Sequence, residues 1–198
     1  MSTIISGSSP SVTFSDGTTQ TTAASSAMSL ISTQTASSSA SLAWTGLTGY
    51  DKYLLIYENL IPATSYASLN CVVGTGSTTY ITSGYYANAI QSYTGNTTPV
   101  GANLNNFIAI SGLAGGANGI VNSGSGASGQ IVFIGMTSGK DLCISGNGSA
   151  QTPIGATTYE IDVLNGFVYN NSTTKTAIKI YFGSSITSGS ASLYGISS

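Results

Sequence analysis

The stretch "KYLLIYENL" (residues 52–60) does more than any other to decide the fold of this chain. Its centre, "YLLIY", is apolar or aromatic at every position, a composition that favours a strand. Continuous apolar character predicts either a central strand covered on both faces or a strand at a contact between subunits. The run is also far shorter than the roughly 20 residues that cross a bilayer, so we expect no membrane insertion.

A second segment, "KTAIKIYF", carries the alternation of a half-buried strand. Here Ile178, Ile180 and Phe182 are predicted to point towards the core, and Lys179 and Tyr181 away from it. The pattern therefore predicts one buried and one solvent-exposed face.

In "TYEIDVL", the same period of two predicts a second half-buried strand. Tyr159, Ile161 and Val163 are expected to face inward, and Glu160 and Asp162 to lie on the solvent-exposed face. The two carboxylates are thus expected to be solvated.

The rest of the chain consists of short β-rich runs separated by turn residues. Gly, Ser-Gly and Asn-Gly clusters interrupt each window that could form a helix. Ten such runs predict an all-β fold, an antiparallel β-sandwich with jelly-roll-like connections and a short extended N-terminal segment. We predict an attachment or oligomerisation segment at residues 1–40, which lacks enough apolar residues for its own core, and a β-sandwich domain at residues 41–198.

The composition suggests an assembly component. Of 198 residues, 41% are hydrophobic and only 5% are charged, with a net charge of -2. Low charge removes the repulsion that keeps crowded monomers apart, so we expect an oligomer or a part of a particle. The four basic residues are all lysines, which argues against nucleic acid as a partner.

The two cysteines are expected to be reduced. The N-terminal residues show neither a basic region nor an apolar region of a secretory signal, so assembly in a cytoplasm is expected. Cys71 and Cys143 both lie in hydrophobic strand-like runs, where buried thiols are the usual state. A disulfide between them is the alternative.

The sequence offers little for catalysis. Histidine is absent, which removes the commonest general base and metal ligand. Glu160 and Asp162 are the only close carboxylate pair that could imitate a glycosidase dyad, and solvated outer-face residues are the simpler interpretation. We therefore predict no enzyme activity, no catalytic residues, no metal site and no cofactor.

Tyrosine is the remaining signal for binding. The chain has 12 tyrosines, and four of them lie in "TYITSGYYANAIQSYTG" together with amide side chains. Tyrosine combines a flat apolar ring with a hydroxyl group, which suits recognition of sugars and protein loops. Alternatively, some of these residues face inward or pack at a subunit interface. The candidate receptor- or saccharide-binding residues are Tyr80, Tyr85, Tyr86, Asn88, Gln91 and Tyr93.

The N-terminal segment contains a turn signal. In "TFSDGTTQTTAAS" (13–25), the Asp16-Gly17 pair is typical of a tight turn after a short strand, and the threonines favour extended structure. The segment is a candidate for particle attachment or trimer formation, with Phe14, Asp16, Gly17 and Gln20 as the candidate attachment residues.

With these segments in view, the chain resembles tail-fibre and fibre-like virion proteins of tailed bacteriophages. "VTFSDGTTQTTAAS" (12–25) is similar to the "TFPDGTTQTTAA" type of segment found in such fibres, although Ser15 replaces the usual proline. "SGQIVFIGM" (128–136) and "NGFVYNNSTTKTAIKIYFGSSITSGSASLYGI" (165–196) resemble phage virion domains that end in a strand, an "SG" turn and "LYGI".

The resemblance implies a homotrimeric, β-structured virion protein that is assembled in the host cytoplasm. Its expected partners are other virion proteins and a bacterial surface glycan or protein receptor, which distal loops of the trimer would bind. The alternatives are a head fibre or decoration protein without receptor binding, a surface-polysaccharide depolymerase and, less in keeping with the N-terminal residues, a bacterial adhesin.

Overall fold

The computed structural model describes residues 4–5, 12–20, 27–93, 96–102, 106–111, 119–137, 139–151, 159–169 and 173–197. In this part of the chain all of the regular secondary structure is β-strand. The predicted all-β class is confirmed. Numbered in chain order, the strands are β1 (Ile4–Ile5), β2 (Val12–Thr13), β3 (Thr19–Gln20), β4 (Met28–Thr35), β5 (Leu42–Thr45), β6 (Lys52–Pro62), β7 (Leu69–Gly74), β8 (Tyr85–Tyr93), β9 (Asn96–Ala102), β10 (Ile108–Ser111), β11 (Ala127–Ile134), β12 (Leu142–Gln151), β13 (Tyr159–Val168), β14 (Ala177–Tyr181) and β15 (Ile186–Ile196).

Two antiparallel sheets pack face to face, as predicted for a β-sandwich. The larger sheet has eight strands in the order β4-β15-β6-β11-β12-β13-β8-β9, and the smaller has four in the order β10-β7-β14-β5. Consecutive strands lie in alternate sheets from β4 to β8, from β9 to β11 and from β13 to β15, in a jelly-roll-like manner. Strands β11, β12 and β13 instead form a meander within the larger sheet.

Strand β6 is an inner strand of the larger sheet, between β15 and β11. Tyr53, Leu55 and Tyr57 are fully buried in the core between the sheets, whereas Leu54 and Ile56 on the opposite face are half-buried. The continuous apolar run therefore marks an inner strand with one fully covered face. Its second face is apolar but only partly shielded from solvent.

Strand β14 has the predicted orientation. Ile178, Ile180 and Phe182 are buried, and Lys179 and Tyr181 are half-buried on the other face. Ile178 pairs with Val73 and Ile180 with Cys71 of β7, so the smaller sheet contributes a continuous aliphatic surface to the core.

Strand β13 has the opposite orientation to the predicted one. Val163 is 46% exposed, while Leu164 is 2% exposed and Val168 is buried, so the inward prediction for Val163 is wrong. Two adjacent apolar residues allow either phase of the alternation, and the packing of Leu164 into the core selects one of them. The side chains of Glu160 and Asp162 lie outside the described residues.

Strand β4 lies before the predicted boundary at residue 40 and yet belongs to the larger sheet. Met28–Thr35 pairs with β15 along most of its length. The side chain of Gln34 donates to the carbonyl oxygen of Ala43 at 2.5 Å and accepts from its N–H at 3.2 Å, which joins β4 to β5 of the smaller sheet. Residues 28–40 therefore belong structurally with the sandwich.

The three shortest strands form a separate small sheet in the order β1-β2-β3. The connection between β2 and β3 contains the predicted Asp16-Gly17 turn. Its Gly17 has a φ of 84°, a left-handed conformation that glycine adopts without strain.

Candidate functional site

Strand β8 alternates between the core and an uncovered surface. Tyr85, Ala87 and Ala89 are buried, whereas Tyr86 and Asn88 are exposed. Successive side chains of a strand point to opposite faces, so Tyr86 and Asn88 share the face that points away from the smaller sheet. We call this surface, formed by β8, β13, β12 and β11, the outer face.

A stacked aromatic pair stands on the outer face. Tyr86 of β8 is in register with Phe167 of β13, and the two ring centroids are 5.0 Å apart with an angle of 18° between the planes. The residues are 43% and 44% exposed. The pair therefore presents apolar ring surface to solvent, where a ligand can stack on it.

A row of amide and hydroxyl groups lies beside this pair. Asn88 is in register with Asn165, and the hydroxyl of Ser145 on β12 donates to Asn165 Oδ1 at 3.0 Å. This bond uses the amide oxygen of Asn165, whose amide nitrogen is a hydrogen-bond donor that suits a ligand hydroxyl. Because the amides lie two residues along their strands from the rings, the two rows are about 7 Å apart.

The aromatic and amide rows enclose a shallow cavity of about 410 Å³. This volume falls within the range of small-ligand sites, roughly 300–1,000 Å³. In the part of the chain that the structure describes, no charged residue lines it. The lining residues are Tyr86, Ala87, Asn88, Cys143, Asn165, Gly166 and Phe167.

Cys143 departs from its predicted environment. The sequence predicted a buried thiol, but Cys143 is exposed on the outer face and is in register with Phe167. Its position in β12 explains the error, because Leu142 and Ile144 on either side supply the buried face. Cys71 is buried as predicted, both cysteines are free, and burial raises the pKa of the Cys71 thiol to about 12.

Tyr85 does not belong to the exposed outer face. It is 1% exposed, and its hydroxyl accepts from the N–H of Val73 and donates to the carbonyl oxygen of Ile81, both at 3.0 Å. Burial raises the pKa of this hydroxyl. The prediction of Tyr85 as a binding residue is therefore wrong, and the alternative of an inward-facing residue applies to it.

Tyr80 lies beside the smaller sheet. It forms a β-bridge with Gly74, and Lys179 Nζ lies 4.0 Å from the centre of its ring. The candidate receptor- or saccharide-binding residues are thus divided between two parts of the molecule, and the exposed residues Tyr86 and Asn88 lie together on the outer face. Gln91 and Tyr93 belong to β8 by their backbone, and their side chains lie outside the described residues.

Sequence reasoning missed Phe167, Asn165 and Cys143 as members of this cavity. They are brought to Tyr86 and Asn88 only by the register of β12, β13 and β8. The segment "NGFVY" on β13 carried a partial signal, since an asparagine and a phenylalanine two residues apart share one face of a strand.

The candidate attachment residues lie in and next to an exposed turn. The N–H of Gly17 donates to the carbonyl oxygen of Phe14 at 3.0 Å, and the Asp16 carboxylate accepts from the Thr18 N–H at 2.9 Å and hydroxyl at 2.6 Å. The hydrogen bonds from Thr18 lower the pKa of Asp16. Gln20 ends the following strand, and its side chain lies outside the described residues.

A charged cluster fixes the connection between β11 and β12, near the end of the sheet that carries Cys143. The Asp51 carboxylate accepts from the Thr137 hydroxyl at 2.7 Å and from Lys140 Nζ at 3.0 Å. These bonds lower the pKa of Asp51 to about 2, and the hydrogen bond from the Thr137 hydroxyl makes the largest contribution. Buried Lys175 donates from Nζ to the Lys140 carbonyl oxygen at 2.6 Å, so the cluster holds backbone in place.

The described residues show no group of three or more His, Cys, Asp or Glu side chains that could hold a metal ion. In the same part of the chain, no helix is long and apolar enough to cross a membrane. The aromatic and amide cavity combines exposed ring surface with hydrogen-bonding groups, which suits ligand binding.

Comparison of the chain with protein-family models, curated proteins and solved structures finds no match.

Proposed function

We propose that the chain is a fibre-type structural protein of a bacteriophage virion that attaches the particle to a bacterial surface. In this proposal it acts as a homotrimer, its N-terminal segment contacts other virion proteins, and the outer face of the sandwich binds the receptor. The sequence resemblance at both ends of the chain supports the virion assignment. The binding face is inferred from the side chains on β8 and β13.

The stacked pair of Tyr86 and Phe167 is the observation that carries the binding function. Large aromatic side chains stabilise a protein most when they are buried, yet these two rings remain more than 40% exposed. Exposed aromatic residues next to available hydrogen-bonding groups are characteristic of recognition surfaces. Asn88 and Asn165 supply such groups in the adjacent row.

Attachment of this kind requires binding but no chemical step. The described residues that line the cavity supply rings, amides and a thiol, and none of them is a carboxylate. A hydrolase of the glycosidase type would need two acidic groups across its groove. The chemistry of the cavity thus favours a binding role over a depolymerase role.

Binding of the purified protein to bacterial cells tests the proposal. Fluorescently labelled protein is incubated with a panel of bacterial strains and bound protein is measured by flow cytometry. We expect saturable binding to susceptible strains and a loss of about tenfold or more in affinity for Phe167→Ala, because a stacking contact is worth about 1–3 kcal/mol.

Tyr66→Ala is the matched control, because Tyr66 is an exposed tyrosine outside the outer face. It is expected to bind like the unmodified protein. Equal binding by Phe167→Ala and Tyr66→Ala would place the receptor site elsewhere. Release of reducing sugar from the bound cells would instead support the depolymerase alternative.

The virion assignment is tested by negative-stain microscopy of phage particles with an antibody against this chain. Label at the tips of tail appendages is expected. Label on the head alone, with no binding to cells, would support a head fibre or decoration protein. A stable monomer in sedimentation velocity at micromolar concentration would contradict the homotrimer.

A further inference from the structure

The outer face carries two depressions. The first is the cavity beside Tyr86 and Phe167, and the second lies near it. It has a volume of about 420 Å³ and lies over β11 and β12. Its lining includes the side chains of Ser128, Asn147 and Ser149, all on the same face as Cys143 and Ser145 by the alternation of β12 and the register with β11. Hydroxyls and an amide therefore line this depression, and no charged residue lines it in the described ranges of the chain.

The two depressions are joined by a continuous polar track. Along β12, Cys143 in the first depression is followed at every second position by Ser145, Asn147 and Ser149. Cys143 and Asn147 are four residues apart, a separation of about 14 Å along an extended strand. Asn165, which bonds to Ser145, lies beside the middle of this track. One small ring cannot reach both ends.

We propose that the two depressions form one site for an uncharged, chain-like glycan that lies across the outer face. One sugar ring stacks on the Tyr86 and Phe167 pair, and its hydroxyls bind Asn88 and Asn165. Further sugar units follow β12 to Asn147 and Ser149. This inference rests on the proposed attachment function and specifies the receptor that the same face binds.

The chemistry of the lining selects the class of glycan. Amides and hydroxyls donate and accept hydrogen bonds, which matches sugar hydroxyl groups. An anionic sugar would require a cationic partner, and among the described residues neither depression has one in its lining. Exposed Val163, in register with Asn147, adds apolar surface beside the track, but the track itself is lined by amide and hydroxyl side chains rather than by the apolar core that a protein partner would require.

A glycan array with neutral and acidic bacterial saccharides, each from monosaccharide to long oligosaccharide, tests the inference. We expect binding to neutral saccharides, at least tenfold tighter for long than for short ones, since a second occupied depression adds about 1.4 kcal/mol or more. Affinity should change less than about twofold between low and high salt, because no ion pair forms.

Two variants separate the ends of the site. Phe167→Ala should lose binding to short and long saccharides alike. Asn147→Ala should reduce affinity for long saccharides about fivefold or more and leave short ones unchanged, because it alters only the second depression. Tyr66→Ala is the control for both variants, and circular dichroism confirms that each is folded.

The exposed thiol gives an independent readout. Cys143 lines the first depression, whereas Cys71 is buried and therefore unreactive in the folded protein. A long neutral saccharide that binds on the array should slow the reaction of Cys143 with a maleimide, and this protection should be lost in Phe167→Ala.

The outcomes distinguish this inference from the proposed function. Cell binding without any preference for long neutral saccharides would overturn the inference and leave attachment standing, as would a preference for acidic saccharides. Absence of both cell and saccharide binding would overturn both. If Phe167→Ala instead changes the sedimentation coefficient of a protein that binds no saccharide, the outer face is a contact between copies.

Discussion

The two faces of strand β13 show how one strand serves two purposes. Towards the smaller sheet it presents Leu164 and Val168, which are almost completely buried. Towards solvent it presents Val163, Asn165 and Phe167, which are all exposed. Hydrophobic side chains thus occur on both faces, although burial stabilises the fold on only one of them.

The hydrophobic side chains on the solvent side of β13 distinguish the outer face from a simple solvent-exposed surface. A face with no role beyond solubility would carry polar residues, as antiparallel sheets commonly do. The outer face instead keeps a valine and a phenylalanine near Tyr86 and Ile90 of the neighbouring strand, all more than 40% exposed. These exposed hydrophobic side chains are explained if the outer face binds a ligand or another protein surface.

The largest difference between the faces should appear in truncations of the adjacent residues Leu164 and Val163. Leu164→Ala is expected to lower the free energy of unfolding by about 2–5 kcal/mol, because it leaves a cavity in the core. Val163→Ala should change it by less than about 1 kcal/mol, since Val163 is 46% exposed. Urea denaturation followed by fluorescence measures both.

Equal destabilisation by the two substitutions would show that Val163 is covered in solution. A second copy of the chain would be the first explanation to test, because the stability of an oligomer depends on protein concentration. Repeating the measurement at several concentrations therefore decides between a bare outer face and a subunit contact.

A smaller effect is expected at Gly148, on the inner side of β12. A Cβ at this position would collide with the hydroxyl of buried Tyr57, which lies over Gly129 and Gly148. Gly148→Ala should therefore cost about 1–3 kcal/mol in the free energy of unfolding through overpacking. Gly183→Ala is the control, because open space surrounds Gly183.

The steric origin of this effect can be tested with Tyr57→Phe. If the hydroxyl causes the collision, Gly148→Ala should cost less in the Tyr57→Phe background than in the unmodified protein. A cost that is the same in both backgrounds would indicate that the backbone of β12, rather than Tyr57, requires glycine.

Much of the fold could be predicted from local patterns. The apolar run of β6 and the alternation in β14 each identify a strand, because local periodicity and burial agree there. Strand β8 was not predicted as a strand, although Tyr85, Ala87 and Ala89 alternate with Tyr86 and Asn88. Alanine contributes too little apolar surface to make that alternation stand out.

The candidate site was harder to predict because it depends on contacts between distant segments. Tyr86 and Asn88 lie far along the chain from their partners Phe167 and Asn165, and only the antiparallel register aligns them. Local patterning also gave no means of telling Tyr85 from Tyr86, since either phase buries one tyrosine. The sequence therefore predicted Tyr86 and Asn88 as binding residues but not the residues of β12 and β13 that complete the cavity.

The smallest effect on stability is expected at Asp51, whose carboxylate accepts hydrogen bonds from the connection between β11 and β12. Its pKa is lowered from 3.8 to about 2, mainly by the Thr137 hydroxyl and, to a smaller extent, by Lys140. A carboxylate with a depressed pKa in the folded state stabilises the fold above its unfolded pKa. That stabilisation is lost as the pH falls from about 4 to about 2, where folded Asp51 also becomes protonated.

Asp51→Asn should accordingly reduce the free energy of unfolding by about 1–2 kcal/mol at neutral pH, a range that allows for screening by solvent. The difference from the unmodified protein should shrink as the pH falls towards about 2. Asp141→Asn is the matched control, since Asp141 is an exposed carboxylate in the same connection and should show little effect. If the difference in the free energy of unfolding does not depend on pH, Asp51 acts through the geometry of its hydrogen bonds and not through its charge. In that case the amide introduced by the substitution would fail to replace the carboxylate at every pH, and the ion pair with Lys140 would contribute nothing measurable.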